Sequence, residues 1–142
     1  MMKKILTLAT LLLALAACGE KEKTDEPVST QIDITGYWEL TSVVTKASVG
    51  SVNVSVYLDF ASNGNFTLYQ KIGEGRYTQF AGSYILSSDN QLSGSYAGGS
   101  AWGPYTAALS GGSLVLTSPG GKEVDSYKKV SAIPETVTGN LY

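Results

Sequence analysis

The regular alternation of apolar and polar residues between Val52 and Phe60 constrains the fold of this chain more than any other feature. Every second residue in this segment is apolar, and the residues between them are Asn53, Ser55, Tyr57 and Asp59. Because successive side chains of a strand point to opposite faces, the segment predicts a strand with one face on a core and the other in water. Asn63-Gly64 follows, and this pair favours a type I′ hairpin turn because both residues tolerate positive φ.

The rest of the chain repeats this pattern, with Gly-rich and Asn-rich turns between short alternating segments and without helical spacing over ten or more residues. Eight strands are predicted: Thr35–Thr45, Val52–Phe60, Asn65–Lys71, Tyr77–Leu86, Gln91–Tyr96, Tyr105–Ser110, Ser113–Ser118 and Lys122–Val130. Because most links are tight hairpins, sequence neighbours should pair. The predicted fold is therefore all-β, a single antiparallel eight-stranded up-and-down barrel.

The residues predicted to face the barrel interior are mostly aliphatic. They are Leu40, Val44, Val54, Val56, Leu58, Phe60, Phe66, Leu68, Phe80, Leu86, Leu109, Leu114 and Leu116. Such side chains either fill an eight-stranded barrel or leave room for one small ligand, and the pattern leaves both alternatives open. The register of the last strand is also open, because Tyr127 and Val130 both have core character but cannot share a face without a bulge.

The first residues have the parts of an export signal. Lys3 and Lys4 are followed by an apolar run of 13 residues, Ile5–Ala17, which ends in small side chains. A membrane-spanning helix needs about 20 apolar residues, so residues 1–17 are predicted to be a cleaved signal peptide and not a permanent anchor. Cys18, the single cysteine of the chain, follows directly.

The sequence Leu15-Ala16-Ala17-Cys18-Gly19 resembles the lipobox of bacterial lipoproteins. The resemblance implies that the Cys18 thiol receives diacylglycerol, that the chain is cut before Cys18, and that the new amino terminus is acylated. Since each buried methylene contributes about 0.8 kcal/mol, several acyl chains on one cysteine would hold the protein on a membrane permanently. In the well-studied lipoproteins an aspartate after the cysteine is associated with inner-membrane retention, so Gly19 favours the outer membrane. With Cys18 lipidated, no thiol remains for a disulfide, a metal or a nucleophile.

Residues 18–34 are predicted to be a flexible tether. They contain Pro27 and a mixture of charged residues, namely Glu20, Lys21, Glu22, Lys23, Asp25, Glu26 and Asp33, and such polar segments stay solvated. The acidic stretch resembles the signal for transfer to the cell surface in lipoproteins of the Bacteroidetes, while a simple spacer is the alternative interpretation. Loss of the signal peptide would leave a net charge of about −4, which argues against nucleic acid as a partner.

The first predicted strand opens with Gly36-Tyr37-Trp38. This Gly-x-Trp sequence is similar to the lipocalin signature, in which the tryptophan closes one end of the barrel. Further segments resemble the small lipocalin-like lipoproteins of the Bacteroidetes: Leu58-Asp59-Phe60, Asn63–Phe66, Leu92-Ser93-Gly94 and Tyr127–Val130. The resemblance covers residues 35–131 and implies a lipocalin-like barrel domain.

The sequence also departs from the larger lipocalins. Those proteins carry a helix after the last strand, whereas the tail 132–142, with Pro134 and Gly139, is predicted to be too short for one. The arginine that packs on their tryptophan has no clear counterpart, because Arg76 is the only arginine and lies in a Gly-rich loop.

Aromatic residues are the candidates for ligand contact, namely Trp38, Tyr84, Tyr96, Trp102 and Tyr105. Trp38 is predicted to pack at the barrel floor, with a ligand-facing position as the alternative. Gly98–Pro104 is predicted to be a loop with Trp102 in its middle. An exposed loop tryptophan favours a binding role, and a plug over the barrel mouth is the alternative.

Catalytic groups are scarce in this sequence. The chain has no histidine, so zinc lacks its usual ligands. Glu39 and Asp59 are predicted on outward faces, where carboxylates keep ordinary pKa values. We therefore expect a noncatalytic protein without metal or cofactor.

Two hypotheses for function remain open. The first is a cell-envelope protein that binds a small apolar or amphipathic ligand in the barrel. The second is an accessory surface module with a filled barrel, which contacts another envelope protein or a glycan through its loops and outer tyrosines, Tyr37, Tyr57 and Tyr69.

Overall fold

The computed structural model describes residues 30–45 and 53–142. Its eight strands are β1 (Gly36–Thr45), β2 (Val54–Phe60), β3 (Asn65–Ile72), β4 (Thr78–Leu86), β5 (Gln91–Tyr96), β6 (Ala101–Ser110), β7 (Ser113–Thr117) and β8 (Glu123–Val130). Each strand pairs antiparallel with its chain neighbours, and β8 pairs with β1 to close the barrel. The predicted eight-stranded up-and-down barrel is confirmed. Cys18 and Val52 lie outside the described residues.

The two ends of the barrel are named here by the direction of β1. We call the end at which β1 begins the floor; there Gly36 pairs with Phe60. The other end, where β1 finishes at Thr45 and β2 begins at Val54, is the mouth. The largest fully buried side chains of the core cluster are Ile34, Trp38, Leu92 and Leu114. The strand registers place Trp38, Leu92 and Leu114 in the floor half, and Ile34 precedes β1 at the same end.

The turn between β2 and β3 lies where the sequence predicts it, but its type differs. Gly64 has a φ of +86°, whereas Asn63 is not among the described residues with positive φ. The Asn63 Oδ1 atom instead accepts a hydrogen bond of 3.1 Å from the Asn65 N–H. The type I′ prediction is therefore wrong, and residues 61–64 form a longer hairpin loop.

A bulge in β1 reverses the facing of its last residues. Leu40 pairs with Tyr127 and Ser42 pairs with Ser126, so one extra residue lies between them in β1. The bulge turns Val44 outward, where it is 62% exposed. The prediction that Val44 faces the interior is wrong, because one inserted residue moves every later side chain to the opposite face.

Three other members of the predicted inward set are exposed. Val54 and Phe80 occupy inward positions at or near the mouth, and Leu109 lies near the end of β6. All three remain exposed because a strand end has few neighbours to cover it. The register of β8 is resolved: Tyr127 is buried inside the barrel, whereas Val130 pairs with Tyr37 and is half-buried.

Segments on both sides of the barrel join its compact unit, Gln31–Tyr142. Before β1, the Gln31 side-chain amide donates a hydrogen bond of 2.6 Å to the Leu86 carbonyl, and Ile34 is buried in the core. The compact unit therefore begins four residues before the predicted domain boundary.

The chain after β8 also packs against the barrel unit. It forms a short helix, α1 (Glu135–Thr138), in place of the predicted helix-free tail. Val137 is 1% exposed, and Leu141 forms a parallel bridge with the buried Tyr77. Within the described residues, no helix is long and apolar enough to span a membrane.

Candidate ligand site inside the barrel

A cavity of about 110 Å³ lies inside the barrel. Its lining comes from six strands: Leu58, Phe60, Phe66, Leu68, Leu92, Tyr96, Trp102, Tyr105, Leu116, Asp125 and Tyr127. The aliphatic side chains come from the predicted inward set and from β5, and the aromatic ones concentrate on β5 and β6. The cavity therefore has an apolar body with a few polar groups, as small-ligand sites usually have.

A bulge in β6 brings two aromatic side chains to this cavity. Leu92 pairs with Tyr105 and Gly94 pairs with Trp102, so two residues of β6 oppose one of β5. Gly103 and Pro104 occupy the bulge, which tolerates a residue without an N–H. Trp102 and Tyr105, although three residues apart, both line the interior.

The prediction that Gly98–Pro104 is a loop is therefore wrong. β6 begins at Ala101, and only residues 97–100 link it to β5. Trp102 is half-buried on a strand and is neither an exposed loop residue nor a plug in a loop. The Gly and Pro residues that suggested a loop instead form the bulge.

Two glycines make room for the aromatic rings. A Cβ atom on Gly94 would stand 2.5 Å from Trp102 Cζ2 and 2.3 Å from the Ser83 carbonyl oxygen. On Gly82, a Cβ would stand 2.9 Å from Phe66 Cε1. Since real side chains do not approach so closely, glycine at these two positions lets the rings lie against the sheet.

The rings contact one another mainly edge to face, an arrangement that aromatic pairs favour. The Phe66 centroid lies 5.2 Å from that of Trp102 and 5.7 Å from that of Tyr96. Trp102 in turn lies 6.3 Å from Tyr105. Phe80, toward the mouth, extends the cluster through a contact of 5.9 Å with Tyr96.

Two buried polar atoms of this cavity lining have no hydrogen-bond partner among the described residues. They are the indole Nε1 of Trp102, which is a donor, and the carboxylate Oδ1 of Asp125, which is an acceptor. Leaving a buried polar group unsatisfied costs about 1–3 kcal/mol, and more for a charged one. The donor and the acceptor both belong to side chains that line this cavity.

Burial also alters the ionisation of the cavity side chains. Burial, followed by the neighbouring Glu123 carboxyl, raises the pKa of Asp125 from 3.8 to about 6. Burial likewise raises the pKa values of Tyr105 and Tyr127, with smaller contributions from the acidic pair. At neutral pH the tyrosines are therefore neutral, and Asp125 is the side chain whose charge changes near physiological pH.

The structure brings together only part of the predicted site. Tyr96, Trp102 and Tyr105 line the cavity, whereas Trp38 and Tyr84 do not. The Trp38 indole donates a hydrogen bond of 2.8 Å to the Ile34 carbonyl. The Tyr84 hydroxyl donates one of 2.7 Å to the Ala61 carbonyl. Both side chains thus belong to the floor, where their polar atoms are satisfied within the chain.

Sequence reasoning missed Asp125 as a cavity residue. The signal was present, because Glu123, Asp125 and Tyr127 alternate, and an inward Tyr127 places the other two on the same face. Asp59 lies on the outer face as predicted. The prediction that it keeps an ordinary pKa is wrong, because burial raises the pKa of its carboxyl.

A closed eight-stranded meander with a tryptophan packed at one end and a small internal cavity defines a lipocalin-type barrel. The chain belongs to the lipocalin-like domain family, whose sequence model matches residues 34–116, more than half of the chain. Among solved structures, it is similar to a lipoprotein YedD from Klebsiella pneumoniae, at 11% identity. That match has a TM-score of 0.50 and covers 81% of this chain and 88% of the other, so the likeness is one of fold. No curated protein sequence matched the chain.

Proposed function

We propose that this protein is a noncatalytic lipoprotein of the cell envelope, anchored through Cys18, that binds a small amphipathic ligand in the barrel cavity. The observation that carries the proposal is that the Trp102 indole N–H and the Asp125 Oδ1 atom have no hydrogen-bond partner among the described residues, while both side chains line one aromatic cavity. A ligand with a polar end would satisfy both atoms, and its apolar part would contact the rings.

The volume of the cavity limits what enters it. Pockets that enclose drug-sized ligands measure about 300–1,000 Å³, and a cavity of about 150 Å³ holds benzene. At about 110 Å³, this cavity accommodates a head group or a short chain. A longer ligand would continue past Phe80 toward the mouth, where Val54 and Ile72 are exposed apolar side chains.

Thermal unfolding tests the binding proposal. The mature chain, residues 18–142 with Cys18→Ser to prevent lipidation, is heated with fatty acids, lysolipids, alkylamines, alcohols and short glycans. A ligand that binds only the folded state stabilises it by about 2.7 kcal/mol at 100 times its Kd, so at least one class should raise Tm. Trp102→Ala should abolish that rise, while Tyr84→Phe at the floor should preserve it. Unchanged Tm across the whole panel contradicts the proposal.

Acyl labelling tests the anchor. Cells grown with an alkyne fatty acid should label the wild-type chain, and Cys18→Ala should remove both the label and retention in the membrane fraction.

Protease added to intact cells then distinguishes the surface from the periplasm. Replacement of Glu20, Glu22, Asp25 and Glu26 by Ser should reduce digestion if the acidic stretch directs surface transfer.

A second candidate function is an accessory module that contacts an envelope protein or a glycan. A broad outer groove of about 530 Å³ on β4, β5 and β6 supports it, because the groove has small side chains around Ile85, which is 70% exposed. The outer tyrosine Tyr57 is instead occupied within the chain, since it packs on Tyr77 and donates a hydrogen bond to Glu39. A membrane partner captured by wild type and lost with Ile85→Ser would favour this function.

A further inference from the structure

Two acidic residues, Glu123 and Asp125, lie on the same face of β8, and Asp125 lines the cavity. Glu123, Asp125 and Tyr127 alternate along β8, and Asp125 pairs with Leu116 of β7 and with Val43 of β1. Val43 and Leu116 are apolar, so the sheet neighbours of Asp125 supply no charge to its carboxylate. The other titratable cavity groups near it are the hydroxyls of Tyr105 and Tyr127.

No cation among the described residues neutralises Asp125. The group that acts on it is Glu123, a second carboxyl, through its charge and through a side-chain hydrogen bond. The ion pair found among the described residues joins Lys128 to Glu39. Glu39 lies on the outer face of β1, away from Asp125. A buried carboxylate beside a like charge is destabilised, and a bound cation would relieve both the burial and the repulsion.

The aromatic lining suits a cation as well. Ammonium groups are attracted to ring faces within about 6 Å. The described residues make this contact twice, with Lys129 Nζ at 5.4 Å from the Trp38 ring centroid and Lys71 Nζ at 5.0 Å from that of Tyr77. Tyr96, Trp102 and Tyr105 present a third group of rings, on the same cavity as Asp125.

The unpaired indole adds a second requirement, since an ammonium group cannot accept its hydrogen. The Trp102 N–H needs an oxygen or nitrogen acceptor, whereas the Asp125 carboxylate needs a donor. We infer that the cavity binds the head group of a small amino alcohol, with the ammonium on Asp125 and the hydroxyl oxygen on the Trp102 N–H. This inference rests on the proposed function and names the chemical class of its ligand. The alkyl part of the ligand would pass Tyr96 and Phe80 toward the mouth.

Three compounds with the same six-carbon chain separate the two contacts. 1-Amino-2-hexanol carries both groups, hexylamine carries only the ammonium, and 2-hexanol carries only the hydroxyl. Their affinities for the mature Cys18→Ser chain are measured by calorimetry at pH 7. We expect 1-amino-2-hexanol to bind about tenfold more tightly than either of the others, because each charge-assisted or neutral hydrogen bond to a buried group contributes about that factor.

Two variants assign each contact to its side chain. Asp125→Asn should weaken hexylamine and 1-amino-2-hexanol about tenfold and leave 2-hexanol unchanged. Trp102→Phe, which retains an aromatic ring, should weaken 1-amino-2-hexanol and 2-hexanol more than hexylamine, because hexylamine loses only the difference between two ring contacts. Asp59→Asn is the matched control, because Asp59 is a carboxylate with a raised pKa on the outer face; it should change none of the three affinities.

The pH dependence gives an independent check. Aliphatic amines of this kind are protonated throughout the range from pH 5 to 7, so the amine affinities should rise over this range as Asp125 ionises, around its pKa of about 6. 2-Hexanol should not follow this rise. Glu123→Gln serves as a second variant if Asp125→Asn fails to fold, and it should also weaken amine binding.

The outcomes separate this inference from the proposed function. Equal binding of 2-hexanol and 1-amino-2-hexanol, or an unchanged amine affinity in Asp125→Asn, overturns the amino alcohol and leaves a cavity that binds ligand. An equal loss in Asp59→Asn means general electrostatic attraction and also overturns it. If none of the three compounds binds, the inference fails, and the broad thermal panel alone decides the proposed function.

Discussion

The floor and the cavity wall of this barrel each contain a tryptophan, and the two side chains differ in burial and in hydrogen bonding. Trp38 at the floor is 2% exposed, donates its N–H to the Ile34 carbonyl and carries the Lys129 ammonium near its ring. Trp102 at the cavity is half-buried, and its N–H has no partner among the described residues. The two tryptophans thus mark two regions. At the floor the chain itself satisfies the indole N–H, and at the cavity the described residues do not.

This difference supports the proposed division of the barrel into a stabilising floor and a binding cavity. Protein interiors satisfy nearly all of their buried polar groups, and the floor follows that rule. The cavity wall breaks it at Trp102 and Asp125. Departures from such general rules concentrate at functional sites, which supports the proposal that the cavity is the binding site and that the floor has a structural role.

Truncation of aliphatic side chains gives the largest expected contrast. Leu114 is fully buried in the floor half, whereas Ile72 at the mouth is 63% exposed. Leu114→Ala should lower the free energy of unfolding by about 2–5 kcal/mol because it leaves a cavity in a packed core. Ile72→Ala should change it by about 0.5 kcal/mol or less. Urea denaturation of both variants measures the difference, and equal losses would contradict the assignment of stability to the floor.

Gly94→Ala should disturb the cavity wall itself. The added methyl would meet Trp102 and the Ser83 carbonyl, so we expect a loss of about 1–3 kcal/mol from overpacking and a changed tryptophan emission spectrum. Gly98→Ala is the control, because a Cβ there meets nothing within 4 Å. An unchanged spectrum and stability in Gly94→Ala would mean that the indole does not lie against β5.

Replacement of each tryptophan by phenylalanine isolates the indole N–H. At the floor, Trp38→Phe removes the donor that the Ile34 carbonyl accepts, whereas Trp102→Phe removes a donor without a partner in the described part of the chain. We expect the floor variant to lose about 1–2 kcal/mol more than the cavity variant. Chemical denaturation checks this, and a greater loss at Trp102 would show that its N–H is satisfied in solution.

The pH dependence of stability gives the smallest effect. Burial raises the pKa of Asp125 from 3.8 to about 6, so the folded state holds this proton more tightly than the unfolded chain does. Its stabilising contribution is therefore full below about pH 4 and lost as the pH rises through about 6. Partial contact with water reduces the loss to about 1 kcal/mol. The difference between wild type and Asp125→Asn, measured from pH 4 to 7, should show this fall, and a constant difference would contradict the raised pKa.

The barrel was predictable from the sequence because its signals are local. Alternation in β2 and glycines between strands indicate eight hairpin-linked strands without any knowledge of tertiary contacts. The floor was predictable for the same reason, since Gly36-Tyr37-Trp38 stands at the start of β1.

The cavity was less predictable because two bulges decide which side chains reach it. Gly103 and Pro104 have the composition of a loop, yet they form a bulge that turns Trp102 inward. The bulge in β1 likewise turns Val44 outward. Bulges depend on how neighbouring strands pair around the closed barrel, and that information is absent from the local pattern.

The indole signals in an NMR titration test the central claim most directly. The chain has two tryptophans, so the ¹⁵N-labelled mature chain should give two indole N–H signals, assigned with Trp38→Phe and Trp102→Phe. On addition of 1-amino-2-hexanol, the account predicts that the Trp102 signal moves to saturation while the Trp38 signal stays in place. A Trp38 signal that moves as far as that of Trp102, or a Trp102 signal that does not move when binding is saturated, would contradict the assignment of recognition to the cavity.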